Sequence, residues 1–426
     1  MTSPSTELMV RARAVQGRID ALAAISDDPD ALTRLFLSSA HAVANRTLLT
    51  WIKQAGLDGF IDPVGNVVGE LSGTANSRPA LMLGSHIDTV RNAGKYDGTL
   101  GVLVALNCIE HLKDHGTPPA VPIRLIAFGD EEGVRFGSTI MGSRAVAGLT
   151  TPDDLERTDP DGITVREALV GAGFVPEKFA KTSMADRPPA AYVELHIEQG
   201  PVLDRAGESL SCVSAIVGSH RMLVEIKGVS GHAGTVPMVG RHDALAAAAE
   251  CIGLIEDICQ QPHIVGTVGF IEAYPNAGNV IAGRVRFSTD IRSHDDALLA
   301  SVHAEIKDGI GKICAQRQVQ AAFEATGGAQ TTHCDDRLMR LIEASVSTSS
   351  SSVGRLPSGA GHDGIAMSRI CPIGMIFVRC AKGISHHPDE AVDVQDIASA
   401  IGAMDRFIEL YAREATLPQE HPWQGP

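Results

Sequence analysis

The 426-residue chain lacks several features that whole classes of function require. None of its eight cysteines, at 108, 212, 251, 259, 314, 334, 371 and 380, forms a C-x-x-C pair. Scattered, unpaired cysteines fit a reducing compartment, where each reads as a small buried hydrophobe. The opening stretch, MTSPSTELMVRARAVQGRID, carries no basic-then-apolar leader. No run reaches the roughly 18 apolar residues of a membrane span. A cytoplasmic location and no membrane partner are therefore expected. Positive charge is scarce: 36 Lys and Arg stand against 51 Asp and Glu, a formal net charge of -15. That argues against nucleic acid and anionic membrane as partners, because both need clustered Lys and Arg. A small anionic substrate stays open, since a local basic patch can hold one. No long-period repeat is visible.

What is present is an ordinary soluble composition, 44% hydrophobic and 20% charged, in a chain long enough for two or three domains. Residues 1–212 alternate helical patterns with short apolar strands. TRLFLSSAHAVANRTLLTWIKQAG and GTLGVLVALNCIEHLKDHG read as helices, stopped by Gly56 and Gly116. GNVVGEL, PALMLGSH, VPIRLIAF and AAYVELHIEQG read as strands, VPIRLIAF with little polar interruption, as in a central strand covered on both faces. This alternation predicts an α/β fold with a sheet flanked by helices. From about 213 the order becomes β-α-β-β-α-β, through HRMLVEIKGV, RHDALAAAAECIGLIEDICQ, HIVGTVGFIEAY, GRVRFSTDIRS, DDALLASVHAEIKDGIGKICAQRQ and VQAAFEAT. That is a ferredoxin-like split-βαβ unit, read as an insertion over 213–329. The α/β texture returns over 330–426, where CPIGMIFVRC is a strand and AVDVQDIASAIGAMDRFIELYARE an amphipathic helix. The run STSSSS at 347–352 reads as a connector.

Polar clusters fall after the strands. His86 and Asp88 follow the first strong strand, one residue apart on one face, so that Asp88 can fix the tautomer of His86. Asp97 lies in a glycine-rich loop opening onto a helix. Asp130, Glu131 and Glu132 follow VPIRLIAF, His196 and Glu198 end another strand, and His386 and His387 follow the last. Taken singly, each is ordinary: a surface histidine, a solvated acid pair, an Asp-Gly turn. Five at strand carboxyl ends, where open α/β sheets bind ligands, point to a site. Imidazole with carboxylate suits zinc and neighbouring divalent metals without thiolate. The donors outnumber the needs of one catalytic zinc and suit two ions about 3.5–4 Å apart.

GSHIDTV, YDGTLGV, DEEGVRF, ELHIEQGPVLD, SGHAGTVPM and SGAGHDG…GISHHPDE resemble the dinuclear metal amidohydrolases of the aminoacylase and zinc exopeptidase superfamily. Within it they are similar to the branch of N-carbamoyl-L-amino-acid hydrolase, allantoate amidohydrolase and β-ureidopropionase, in order over residues 15 to 415. The resemblance implies a zinc-exopeptidase-like catalytic domain, 1–212 with 330–426, having a mixed central sheet. It makes 213–329 a lid and dimerisation domain. It implies His86 and His196 as metal ligands, Asp97 as the bridge, and Glu132 and His386 as the second ion's set. Spacing alone leaves His386 and His387 open; the GISH pattern favours His386. Glu131 is implied as general base, passing a proton from water to the leaving nitrogen. Asp130 is left without a task, facing solvent or supporting the turn. Ala93 stands where the family usually has the first of two glycines, which should change loop shape more than ligation.

On the lid, the resemblance implies His232 as a catalytic and substrate-binding residue that polarises the scissile carbonyl in the partner subunit. Arg292 would fork onto the substrate carboxylate; as a simple residue it reads as the salt-bridge partner of Asp290. Asn279, Gln199, Gly361 and His362 would line the substrate pocket. The implied activity is metal-dependent hydrolysis of a linear ureido or carbamoyl C–N bond in a carboxylate-bearing substrate, allantoate or an N-carbamoyl-L-amino acid. The implied cofactors are two divalent ions, zinc first, with manganese, cobalt or nickel also fitting the donor set. An aminoacylase or dipeptidase, or another aminohydrolase, on the same fold is the competing enzyme reading; a non-catalytic binding protein is the competing class. The presence of Glu131 and Asp97 weighs against the second.

Overall fold

A computed structural model describes residues 4–75, 77–116, 118–346 and 354–415. The Ser-rich connector 347–352 lies outside the described residues. Two compact units are present: Met1–Ser214 with His333–Pro426, and Ala215–Thr332.

The centre of the first unit is four parallel strands, in the order Ile123–Phe128, Leu81–His86, Ala191–Ile197 and Ile373–Val378. Three are buried at every position, and Ile123–Phe128 at all but one. Such near-continuous burial is what strands covered on both faces require. Antiparallel strands extend the sheet on each side, Val67–Leu71 and Asp58–Ile61 beyond Ile123–Phe128, Leu210–Ile216 beyond Ile373–Val378, where the short strands Thr332–His333 and Leu356–Ser358 pair with Leu210–Ile216. The sheet is therefore mixed.

The helix Thr99–Asp114 is buried from Thr99 through Ile109, so it is a core helix and not an amphipathic one. Gly101 lets it approach the Ala191–Ile197 strand, since a Cβ there would collide with the Leu195 carbonyl. The helix read from TRLFLSS onward begins only at Ser39. Ser38 caps it, accepting from the His41 N–H at 3.1 Å, and residues 33–37 form a loop instead. The helix Thr6–Ala23, which precedes the first helix read from the sequence, buries Ala12, Val15, Ile19 and Leu22 along one face.

The second unit pairs four antiparallel strands in the order Ile271–Tyr274, Arg284–Ser293, Gly218–Lys227 and Gln320–Ala329, with Ile264–Thr267 on the other half of Arg284–Ser293. The helices Ala244–Ile258 and Asp296–Gln316 pack on this sheet, through Cys251, Ile255, Val302, Ile306 and Ile310 against Val224, Ile226 and Phe287. Each helix is capped by an aspartate, Asp243 and Asp295, accepting two backbone N–H groups. A short ribbon, Gly231–His232 with Val280–Ile281, extends from it.

Candidate metal centre and active site

The carboxyl ends of the four parallel strands gather the polar clusters. His86 is the last residue of its strand and 1% exposed; His196 is the penultimate residue of its own, also 1% exposed. Asp97 arrives between them on the loop before Thr99–Asp114. Gly98 turns that loop at φ +61° against the His86 ring, where a side chain would clash. Asp97 Oδ1 stands 3.1 Å from His196 Nε2 and 3.5 Å from His86 Nε2.

The ring nitrogens fix the chemistry of this contact. His86 Nδ1 donates to the Asp88 carbonyl at 3.1 Å, and His196 Nδ1 to the Ile197 carbonyl at 2.9 Å. A carbonyl only accepts, so each neutral ring carries its proton on Nδ1 and turns a lone pair outward from Nε2. Two lone pairs and a carboxylate oxygen then converge, acceptors on acceptors. Neither Asp97 Oδ1 nor His196 Nε2 has a hydrogen-bond partner among the described residues. Positive charge resolves that conflict, as a proton on the rings or as a metal ion between them, and the residues present fit a metal ion.

A second donor set shares the same aspartate. Asp97 Oδ2 is 3.3 Å from His386 Nε2, which is 3.4 Å from Glu132 Oε1. His86–Asp97–His196 and Asp97–Glu132–His386 each bring three donor atoms within 4.8 Å of one another, and Glu131 joins His86 and Glu132 in a similar group. The structure thus brings together all five residues implied as ligands, with Asp97 between the two sets. His387 points elsewhere: it is exposed and its Nδ1 accepts the Asp389 N–H at 3.2 Å. The chain's own charges draw positive charge to this place. Asp97, then Glu132, push His386 up to about 10. Burial opposes charge on His86 and His196, yet the carboxylates around them, Asp88 and Asp97 for the first and Asp97 for the second, outweigh it and raise both.

The acidic turn has a division of its own. The Asp88 carbonyl, at 3.1 Å, accepts the His86 ring N–H, with the Asp88 carboxylate beside the same nitrogen at 3.6 Å. The carboxylate oxygens also accept the N–H groups of Glu131 and Glu132, at 3.1 and 3.2 Å. Glu131 Oε2 lies 4.0 Å from His86 Nε2. Burial, with Glu132 and Asp363 nearby, raises Glu131 well above the usual carboxylate range. Asp130 does not face solvent: it is 1% exposed, at φ +61°, and neither carboxylate oxygen has a hydrogen-bond partner among the described residues. Burial, then Asp88, push it well upward. At the variant glycine, Ala93 needs no left-handed backbone, since Asn92 takes it at φ +52°.

Gln199 donates from Nε2 to Asp97 Oδ2 at 2.9 Å and to Ser385 Oγ at 3.2 Å, leaving Oε1 without a partner among the described residues. Gly361 is exposed, whereas His362 is 1% exposed. The His362 ring packs edge-on to His196 at 4.5 Å, with Nε2 2.6 Å from Ser358 Oγ. The sequence reading passed over Glu390, the last residue of HHPDE. Its Oε1 accepts the backbone N–H groups of Tyr96 and Asp97, at 2.8 and 3.1 Å, and its Oε2 shares the Ser385 hydroxyl, at 3.3 Å, with Asp97 Oδ2, at 3.0 Å. Glu390 thus fastens the Asp97 loop to the His386 loop. Its place four residues after His386 was the only signal.

In the second unit, His232 pairs with Val280, which brings it beside Asn279; the Asn279 carbonyl accepts the Ala233 N–H at 3.0 Å. His232 Nδ1 accepts the Gly234 N–H at 3.0 Å, so its proton sits on Nε2, ready to be donated. Arg292 stands elsewhere. Its guanidinium forks onto Asp290 at 3.1 and 2.8 Å and lines a cavity of about 430 Å³ with Arg221, Thr267 and Thr326.

A sequence profile for "Peptidase family M20/M25/M40" matches residues 82–410. The allantoate deiminase of Arabidopsis thaliana is 38% identical over 424 residues, 92% of this chain and 81% of that protein. The N-carbamoyl-L-amino acid amidohydrolase of Geobacillus stearothermophilus is 36% identical over 400 residues, 92% and 96% of the two chains. A crystal structure of a hydantoinase/carbamoylase-family amidase from Burkholderia multivorans superposes with a TM-score of 0.88 at 30% identity, covering 96% of this chain and 98% of that one.

Proposed function

We propose, from the premise that this chain belongs to peptidase family M20/M25/M40 and is an amidohydrolase of non-peptide C–N bonds, that it hydrolyses a linear ureido bond in a carboxylate-bearing substrate. Allantoate and N-carbamoyl-L-amino acids are the two candidates, as the names of its relatives suggest. The observation that carries this reading is the convergence of two imidazole lone pairs and Asp97 Oδ1, beside a second set that shares the same aspartate. Enzymes of this family bind divalent metals.

His86, Asp97 and His196 would hold one ion, and Asp97, Glu132 and His386 the other, zinc being the ion this donor set suits first. When bound, the ions acidify water and polarise the scissile carbonyl. Glu131 takes the proton of the attacking water and returns it to the leaving nitrogen. Ammonia departs, and the carbamate left behind loses carbon dioxide. Gln199 and Glu390 hold Asp97 still from its side chain and its backbone.

His232 Nε2–H suits the developing oxyanion, with Asn279 beside it. Arg292, exchanging Asp290 for the substrate, suits the carboxylate. The two lie far apart on one lid. Arg292 pairs with Ser219, while the ribbon carrying His232 leaves from the opposite end of the same strands, where Arg284 pairs with Lys227. Eight residues at about 3.3 Å each separate those ends by about 26 Å. This supports a homodimer in which one site draws Arg292 and His232 from different lids. Met238 and Val239, 77% and 93% exposed just after His232, are suited to being covered there. A cytoplasmic setting fits the eight free cysteines.

The test is ammonia release by the metal-reconstituted enzyme from allantoate and from N-carbamoyl-methionine, beside an N-acetyl amino acid. Turnover of either ureido compound is expected. Hydrolysis of the N-acetyl compound alone would make this an aminoacylase.

A further inference from the structure

The helix Thr99–Asp114 begins beside Asp97 and ends, about 24 Å away at 1.5 Å per residue, in a second cluster that the reaction does not use. The sequence there is HLKDH. His111 lies in the last turn and His115 caps the helix, four residues on and therefore on the same face. Their rings stand 4.1 Å apart, tilted by 50°. Glu7, from the first turn of Thr6–Ala23, brings Oε1 to 3.7 Å from His111 Nδ1. One donor atom from each of the three lies within 4.8 Å of the others.

We propose that Glu7, His111 and His115 form a third metal site, for a divalent d-block cation such as zinc or nickel. His115 Nδ1 donates to the His111 carbonyl at 2.9 Å, which leaves the Nε2 lone pair free. This is the arrangement that orients metal-binding histidines: one ring nitrogen tied to a carbonyl, the other presented. The 3.7 Å between Glu7 and His111 is too long for a hydrogen bond. It is close to the roughly 3.4 Å that separates two donors each about 2.0–2.1 Å from a tetrahedral zinc. The carboxyl end of a helix also carries partial negative charge, which favours a cation. Three protein donors leave a position for water, so binding is reversible. The ion would pin the first turn of the N-terminal helix to the end of the core helix.

The test counts zinc at equilibrium, with zinc sulfate as the probe, on enzyme whose catalytic metals are already loaded. The native chain should take up one equivalent more than His111→Ala or His115→Ala, with turnover equal in all three. Zinc beyond the catalytic complement should raise the melting temperature of the native chain and leave both variants unmoved. Glu7→Gln, an exposed change that does not threaten folding, should weaken the extra uptake and keep some of it. Equal zinc counts in the native chain and Glu7→Gln, His111→Ala and His115→Ala would overturn the proposal. So would an extra equivalent that survives loss of both histidines.

Discussion

The proposed sharing of one site between two lids can be read out as a number. Take two variants that the proposed roles would inactivate, His232→Ala, without the proposed oxyanion donor, and Glu131→Ala, without the proposed base. Mixed in equal amounts and allowed to exchange subunits, half of the dimers are hybrids. If His232 serves the partner's metals, each hybrid contains one site with both residues intact and one with neither. One quarter of all sites then work, so the mixture should recover about 25% of native turnover from two nearly dead preparations. If His232 serves its own metals, every site stays broken. The geometric reason for expecting the first result is the about 26 Å between Arg292 and the root of the His232 ribbon. Even a ribbon folded straight back over five residues, about 16 Å, leaves them about 10 Å apart. The assay is ammonia release after mixing, with exchange verified by mass-tagged subunits. Full exchange without recovery would refute the shared site, and with it the argument from strand register.

Other perturbations separate roles within the cluster. Glu131→Gln should keep two metals per chain and lower kcat by about 10²–10⁴-fold, the usual contribution of a general base. Glu132→Gln should lose metal first, seen by elemental analysis; equal metal loss in both variants would contradict the division of the pair. Glu390→Ala strips the acceptor from two buried N–H groups, at about 1–3 kcal/mol each, and should weaken metal retention, while Glu390→Gln, which keeps an acceptor, should restore most of it. Burial, the largest influence on His41, pushes it down to about 4 from about 6.5. The folded chain keeps it neutral where the unfolded chain protonates, so stability falls as pH drops from about 6.5 to 4, by up to about 3 kcal/mol. In chelator-treated protein, urea unfolding of His41→Gln should show a shallower loss over that window, and parallel slopes would exonerate His41.

The grouping of His86, Asp97, Glu132, His196 and His386 was legible because strand ends are local information. A buried strand followed at once by His, Asp or Glu needs only one fact about α/β sheets to become a site. Residues that act by reaching across the chain left no such mark. Glu390 is silent until the loops of Asp97 and His386 are folded against each other, and the carboxylate of Asp88, besides standing by the His86 ring, accepts the next turn's N–H groups. Arg292 shows the reverse weakness. Its pairing with Asp290 was legible from the residues themselves, whereas its proposed role on a substrate carboxylate came only from the resemblance. Asp130 shows a limit of another kind. An acid beside two others at a strand end reads as a solvated residue, yet the turn that brings Glu131 and Glu132 to the candidate metal centre takes Asp130 into a left-handed conformation and buries it. That conformation is tolerated by aspartate more readily than by most residues. Burying an unpartnered carboxylate is costly unless it is protonated, so the turn is held against a cost, which Asp88 offsets by binding the next two backbone N–H groups. The acids of GDEEG are thus arranged by what the turn must present, and the charge they crowd together is the charge that two cations would balance.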